Sequence, residues 1–591
     1  MALSFAYFSK ALTGTYMKSS ITQIERRFDL SSTHIGLIDG SFEMGNLLFL
    51  AVVSHFGAKL HRPRLIAVGC FLMAVGAFLT GLTHFFMGRY KYDTVIQVYH
   101  NDSMNIAACV DPLTTLEVPE IQIEESGSNM WIYVFLGNAL RGIGETPVTP
   151  LGISYIDDFA KAENSPFYIA CLQTITLLGP MFGFLLGSYC AKLYVDIGYV
   201  DMDSVTITPK DARWVGAWWM GFLVSSGLLL ISSIPFWFLP RSLPKQEDGL
   251  QQQKTTPGAP PVRFLPSLKR LLGTPAYFLL LCGSILKFNS FIGLLTFKAK
   301  YMEQQFGQSA SRANFLIGVL NLPAVAVGIF LGGLLMKRYK LSVVSGAQLS
   351  FATSFMAYLL LLLQFGTKCD NIPVAGLTIS YNGSVTQGMS YNGEMLFSEC
   401  NRDCACSAEE WDPVCADSGI TYISPCMAGC LGSSGYGKNT VFHNCSCVSA
   451  SYPAGSTTSV KLGQCPHAKD CSRSFTSYMA ISVLSSFINS LGATPGYMVI
   501  IRCISPELKS LALGIQTLAT RTLGGIPAPV YFGALIDSTC LKWSIKKCGG
   551  RGACRIYNSN ISLFAPICGE NLQHLPAACS LYWHLPRETV G

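Results

Sequence analysis

Charged residues stand inside stretches that are otherwise apolar, and their spacing groups them. Asp39 and Glu43 are four apart, as are Arg141 and Glu145, so each pair shares one face of a helix. Lys10 and Lys18 are eight apart and face one side of another helix. Lys287 and Lys298 share a later apolar run, and Arg521 lies in the middle of the last one. An unpaired, unhydrated charge in hydrocarbon costs about 2.5–3.5 kcal/mol on insertion scales. Such groups therefore form structural ion pairs or line a watery path. Lysine or arginine facing a wet cavity suits a carboxylate or sulfate. Lys18 and Lys298, near the ends of their runs, can also reach the interface along their apolar stems.

A second set of side chains with chemistry is the cysteines. Eleven of the 22 fall between Cys369 and Cys471, the others of this group being Cys400, Cys404, Cys406, Cys415, Cys426, Cys430, Cys445, Cys447 and Cys465. Such density means disulfides, which persist in an oxidising compartment, so the segment belongs outside the cell or in a lumen. Cys406-x8-Cys415-x10-Cys426-x3-Cys430, with Pro413-Val414 and Thr421-Tyr422, resembles a Kazal module over 400–447. Its Ser407–Asp412 stretch is acidic and lacks a primary specificity residue, so a structural role is expected rather than protease inhibition. Eleven is odd, which leaves one cysteine free or paired elsewhere, with Cys540, Cys548 and Cys554 as candidates. Spacing does not give the connectivity. The run Gly432–Asn439 misses the phosphate-loop pattern at its last position and lacks strand–helix context. With no catalytic triad or zinc spacing, no enzyme, metal or cofactor is expected.

The elements that carry these residues are membrane helices. Half of the 591 residues are hydrophobic and 13% are charged, against about 25% in soluble domains. The expected class is an all-α polytopic membrane protein. The net charge of +7 reads as the lysine and arginine surplus of cytoplasmic loops, and no basic stripe with aromatics points to nucleic acid. Apolar segments fall near 1–20, 34–56, 64–87, 130–156, 166–195, 214–239, 275–297, 313–336, 342–366, 475–501 and 510–536, eleven in all. Placing the cysteine loop outside puts the N-terminus in the cytoplasm, and basic residues then gather in the cytoplasmic loops. The four sequons, at Asn101, Asn382, Asn444 and Asn560, all fall in loops assigned outside. A multi-pass plasma-membrane protein is expected. The parts are a first half of six spans over 1–240, a linker over 241–274 and spans 7–9 over 275–367. An extracellular cysteine-rich loop over 368–474 follows, then spans 10–11 over 475–536 and an external loop with an atypical C-terminus over 537–591. Trp214, Trp218, Trp219 and Trp237 fit an interfacial belt. Basic turns at Gly57–Arg64 and Gly333–Arg338 echo each other, as expected of two related halves.

Several stretches together resemble one family. They are Asp211-Ala-Arg213-Trp214-Val-Gly216-Ala-Trp218-Trp219-Met-Gly221-Phe-Leu223, Asn138-Ala-Leu-Arg141-Gly-Ile-Gly144-Glu145-Thr-Pro147, Gly525-Ile-Pro-Ala-Pro-Val-Tyr-Phe-Gly533 and the cysteine loop. The chain resembles the organic-anion-transporting polypeptides, nearest the branch that carries bile salts, conjugated steroids and thyroid hormones. The resemblance implies a major facilitator fold of two six-helix halves and sodium-independent alternating access. It implies large amphipathic organic anions as the substrate partners, held near the midplane by cations at Lys10, Lys18, Lys298 and Arg521. It also implies a coupling site at Glu43, Arg141 and Glu145, near His84, with bicarbonate as the exchanged ion and His84 as a sensor of external acidity. Lys287 departs from the uncharged polar residue the family would place there. The match ends near Asn560, with no tail before span 1 and the twelfth helix missing. The alternative reading is a truncated, non-transporting surface or retained form whose Kazal-like module acts as an interaction domain.

Overall fold

The structure is a computed structural model that describes residues 1–56, 61–92, 129–159, 165–202, 205–240, 264–339, 342–364, 366–367, 369–381, 396–435, 437–450, 458–496, 509–546 and 550–558. The long apolar runs become helices because a chain away from water must satisfy its backbone internally. In order these are α1 (Ala2–Arg27), α2 (Ser32–Phe56), α3 (Arg62–Phe86), α4 (Trp131–Phe159), α5 (Ser165–Lys192) and α6 (Trp218–Phe238). After the short α7 (Phe264–Leu272) come α8 (Pro275–Phe306), α9 (Ala310–Leu316), α10 (Leu322–Tyr339) and α11 (Val343–Gln364). A π turn over Ile317–Asn321 joins α9 to α10 in one rod. The short α12 (Ser446–Ala450) lies in the cysteine-rich segment, and α13 (Lys469–Leu491), α14 (Lys509–Thr520) and α15 (Pro527–Asp537) follow. A second π turn, Arg521–Gly525, joins α14 to α15. Eleven long rods thus stand among the described residues, close to the eleven expected runs. Six helical stretches, including Arg62–Phe86, Trp218–Phe238 and Tyr277–Phe306, are long and apolar enough to cross a membrane.

The first half packs α1 against α5 and α6, α2 against α4, and α3 against both α4 and α6. Glycine permits the α2–α4 approach, since a Cβ on Gly142 would lie 2.0 Å from the Phe42 carbonyl oxygen. Near one end of this half, Tyr16, Ile21, Trp214, Trp218 and Phe222 form a buried core. The Tyr16 hydroxyl donates to the Trp218 carbonyl at 2.6 Å. Trp214 and Trp218 are therefore core residues, whereas Trp237 is exposed. In the second half α13 packs against α10 and α11, and α8 packs against α14 and α15.

The cysteine-rich segment folds as an antiparallel sheet of β1 (Val414–Ala416), β2 (Thr421–Tyr422), β3 (Cys430–Ser434), β4 (Val441–Cys445) and β5 (Val460–Leu462), in spatial order β2-β1-β5-β4-β3. The disulfides are Cys369–Cys471, Cys400–Cys447, Cys406–Cys426, Cys415–Cys465 and Cys430–Cys445. The compact unit extends past the expected 400–447, because β5 fills the middle of the sheet and Cys465 is tied to β1. Cys404 is disulfide-bonded too. Cys540 pairs with Cys554, so neither is its partner. These two close a hairpin of β6 (Cys540–Ile545) and β7 (Arg551–Tyr557), where the sequence suggested only a loop. Of the sequons, Asn444 is exposed on β4, and Asn101, Asn382 and Asn560 lie outside the described residues.

Candidate functional site

The cations and carboxylates of the spans meet, but not in the groups their spacing suggests. Lys10 on α1 pairs with Glu145 on α4 at 3.2 Å. Lys18 pairs with Asp39 on α2, and Thr296 on α8 accepts from Lys18 at 3.0 Å while donating to Asp39 at 2.9 Å. Arg521 reaches from the second half to Glu43 on α2 at 3.2 Å. Arg521 opens the π turn, whose Gly524 and Gly525 are both packed close to neighbouring helices. Arg141 donates to the Thr13 carbonyl at 3.2 Å and lies over the Phe42 ring. Three of the four expected substrate cations, Lys10, Lys18 and Arg521, thus pair with carboxylates of α2 and α4, Glu43 and Glu145 of the expected coupling site among them, and Lys298 does not join them. Among these pairs Arg521 is the wettest cation, its side chain 27% exposed.

His84, at the end of α3, stands apart from those pairs. Its ring stacks on Trp219, with centroids 5.2 Å apart, and its Nε2 lies 3.8 Å from Asp196. No hydrogen-bond partner for its buried Nδ1 stands among the described residues.

Lys298 opens on a cavity within the second half, between α8, α11, α13 and α15. Phe297, Tyr301, Tyr478 and Phe532 give it aromatic walls, and Ser482, Ser485 and Ser486 line one side. Lys298 donates to the Ser482 hydroxyl at 2.8 Å, and Asn321 on the π turn of the α9–α10 rod donates to Ser482 at 3.1 Å. Lys300 also lines it, already held by Glu25, and an aromatic chamber with Lys298 and a row of hydroxyls suits an amphipathic anion. Asn321 and the serines of α13 are polar residues the sequence analysis did not single out, although a polar stripe within an apolar helix was a visible signal.

Charges outside the set that spacing suggests also meet, at the helix ends nearest the disulfide-rich domain. Lys300 on α8 binds both oxygens of Glu25 on α1, at 2.5 and 2.7 Å, and donates to Ser32 at 2.7 Å. Arg26 pairs with Glu303 in the reverse sense. Asp537, at the end of α15, accepts from the Ser32 and Thr33 amides at 2.9 and 2.8 Å and so caps α2 from the other half. Asp29 accepts from Ser544 and from the Ala553 amide of the β6–β7 hairpin. Glu25-Arg26 and Lys300…Glu303, opposite charges near the end of one helix in each half, were the signal.

Two helical halves joined by a charged seam, with a polar network running toward the middle, define a membrane transporter rather than an enzyme. The fold agrees with solved transporters. A bacterial homologue of the human lysosomal transporter Spinster matches with a TM-score of 0.55 at 12% identity, covering 98% of this chain and 95% of that one. A D-xylose–proton symporter matches with a TM-score of 0.53 at 11% identity, covering 99% and 97%. The model of the Organic Anion Transporter Polypeptide (OATP) family matches residues 1–561, and the chain belongs to that family. Human solute carrier organic anion transporter family member 1C1 is 50% identical over 593 residues, covering 95% of this chain and 83% of the relative. Human member 1B3 is 50% identical over 588 residues, covering 94% and 84%. Rat (Rattus norvegicus) member 1A5 is 48% identical over 599 residues, covering 98% and 88%.

Proposed function

We propose that the chain carries large amphipathic organic anions, such as conjugated steroids, bile salts and thyroid hormones, across the plasma membrane without sodium, by alternating access. The observation that carries this reading is the Arg521–Glu43 pair. It crosses between the halves, it is partly hydrated, and its carboxylate is the kind of group a substrate sulfate or carboxylate would replace. The exchange keeps Arg521 neutralised, and its cost is that of leaving Glu43 without its partner. Glu43, once released, would be left among carboxylates, which favours its motion with the α2 half. The chamber beside Lys298 would take the apolar body. Bicarbonate leaving in exchange would occupy the same network, near Arg141 and the Lys10–Glu145 pair. The cysteine-rich domain faces the outside in this reading.

The test is uptake of a sulfated steroid and of thyroxine by cells expressing the chain, with surface biotinylation to normalise. Saturable, sodium-independent uptake should fall at least tenfold in Arg521→Ala at equal surface level. Parental uptake in that variant, or surface protein without uptake in the parent, would overturn the reading.

A further inference from the structure

A second cavity lies at the disulfide-rich face; it shares Gln304 and Tyr557 with the wall of the Lys298 chamber and has none of Lys10, Lys18, Glu43, Glu145 or Arg521 in its lining. Four parts of the fold meet there: the end of α1, the loop between α5 and α6, the end of α8, and the domain with its hairpin. Its charged wall is Arg26, Lys210 and Arg555 against Glu303 and Asp370, so fixed cations exceed fixed carboxylates by one. Lys210 and Asp370 are exposed at the rim, whereas Arg555 and Glu303 are buried. His467 completes the wall, its ring packed against Gly307, the left-handed residue (φ 60°) that ends α8. A Cβ at Gly307 would lie 2.3 Å from that ring, so glycine is required there both for its backbone and for its lack of a side chain. Burial, and then the charge of Lys210, lower the pKa of His467, which keeps the imidazole neutral near pH 7. The rest of the lining is mostly amide and hydroxyl, with Pro209, Ile372 and Ile556 as its apolar part.

A positive, polar recess with low-dielectric walls concentrates anions, and arginine offers a planar fork matched to an oxyanion. We propose that this recess is a binding site for one sulfate- or carboxylate-type oxyanion, entering from the domain side. Arg26 is the hinge of its consequence. One arm of its guanidinium donates to the Trp214 carbonyl at 3.2 Å and the other pairs with Glu303, holding α1 to α8. An anion in the recess sits beside that link and competes with Glu303 for the arginine. The inference does not rest on transport and goes beyond the function proposed above.

The test uses the purified full chain in nanodiscs and inorganic sulfate as the ligand, with sodium chloride at matched ionic strength as the reference. Sulfate should raise the unfolding midpoint saturably. Lys210→Gln, a change at an exposed position that leaves folding intact, should weaken the apparent affinity at least threefold, and Lys210→Arg should restore it. The Lys210-dependent binding should persist in Arg521→Ala. A sulfate response equal in Lys210→Gln and parent, or lost in Arg521→Ala alone, would overturn the proposal by placing the anion elsewhere. Repeating the titration with a steroid sulfate separates the two sources of the anion. A parallel threefold loss means that the recess reads the head group of a large anion, and loss for inorganic sulfate alone means that it reads a free one. Absent uptake would sink the transport reading and leave this binding result standing.

Discussion

A buried cation is defined by how wet its partner is. Lys300 is held by both oxygens of Glu25 and by Ser32, with side chains of both partners only 5% exposed, so it is fastened. Arg521 holds Glu43 by one contact and keeps more than a quarter of its side chain open, so it is exchangeable. His84 occupies a third condition, stacked on Trp219 with Asp196 beside it but beyond a close ion pair. Should the ring gain a proton, Asp196 is placed to hold it, and the α3 end would be drawn toward the loop after α5. The test is steroid-sulfate uptake measured from about pH 5.5 to 8 in the parent and in His84→Gln. His84→Gln should flatten that profile to within about twofold of constant. Equal profiles in the two would remove His84 from the pH response. The charged residues themselves were legible, because hydrocarbon singles out any charge within it. Their partners were not. Arg141 and Glu145 share a helix face at four-residue spacing, yet Glu145 goes to Lys10 and Arg141 to a backbone carbonyl on α1, and such choices are made by packing between helices.

Helices of more than twenty residues announce themselves by hydropathy, and the eleven rods fall close to where the sequence places them. Strands of three to five residues rich in cysteine and glycine do not. β5, only Val460–Leu462, lies far along the chain from β1 and between it and β4, and no alternation in so short a stretch reveals that. The link between the sheet domain and the first half was equally hidden. Arg213, 1% exposed, joins Asp211 in its own loop to Asp412 in the domain, each at 3.0 Å. Burial alone would lower its pKa, but Asp211 and then Asp412 outweigh burial and raise it, so the guanidinium stays charged. Removing one partner of a buried pair typically costs about 3–5 kcal/mol. Asp412→Ala leaves Asp211 in place, so a loss near the lower end, about 3 kcal/mol, is expected. Thermal unfolding of the purified chain, with limited proteolysis of the domain, measures it. Arg213→Met combined with both Asp211→Asn and Asp412→Ala should recover part of the loss, since no buried charge is then stranded. A parental melting curve for Asp412→Ala would show that the domain is held by its disulfides and apolar core alone.

At the scale of the whole molecule, the contacts between the halves gather on the domain side. Lys300–Glu25 and Arg26–Glu303 cross between α1 and α8 with opposite polarity, Asp537 caps α2, Asn314 on α9 donates to the Ser19 carbonyl at 2.9 Å, and Ser188 meets Ser311 at 3.2 Å. In the alternating access proposed above every one of these would part together, so the population of a state open on this side would depend on their sum. Glu303 joins two of them, since Thr22 also donates to it at 3.2 Å. Glu303→Gln keeps the size and removes the charge, weakening the closed seam by about 1–3 kcal/mol, a shift of roughly 5–150-fold in the open population. Ser19, 2% exposed beneath the seam, supplies the readout when changed by Ser19→Cys. A membrane-impermeant thiol reagent applied from the domain side should label Ser19→Cys slowly in the parent background. With Glu303→Gln added, labelling should quicken by at least fivefold, while the chain without Ser19→Cys reports the background from Cys70, Cys190 and Cys282, its free thiols among the described residues. Unchanged labelling would mean that the α1–α8 charges do not hold the closed state, and the burden would then pass to Asp537 and the Asp29 grip on the hairpin. Faster labelling together with lower uptake would mean that the seam is balanced against the midplane network, so that opening on one side competes with anion transfer through Arg521.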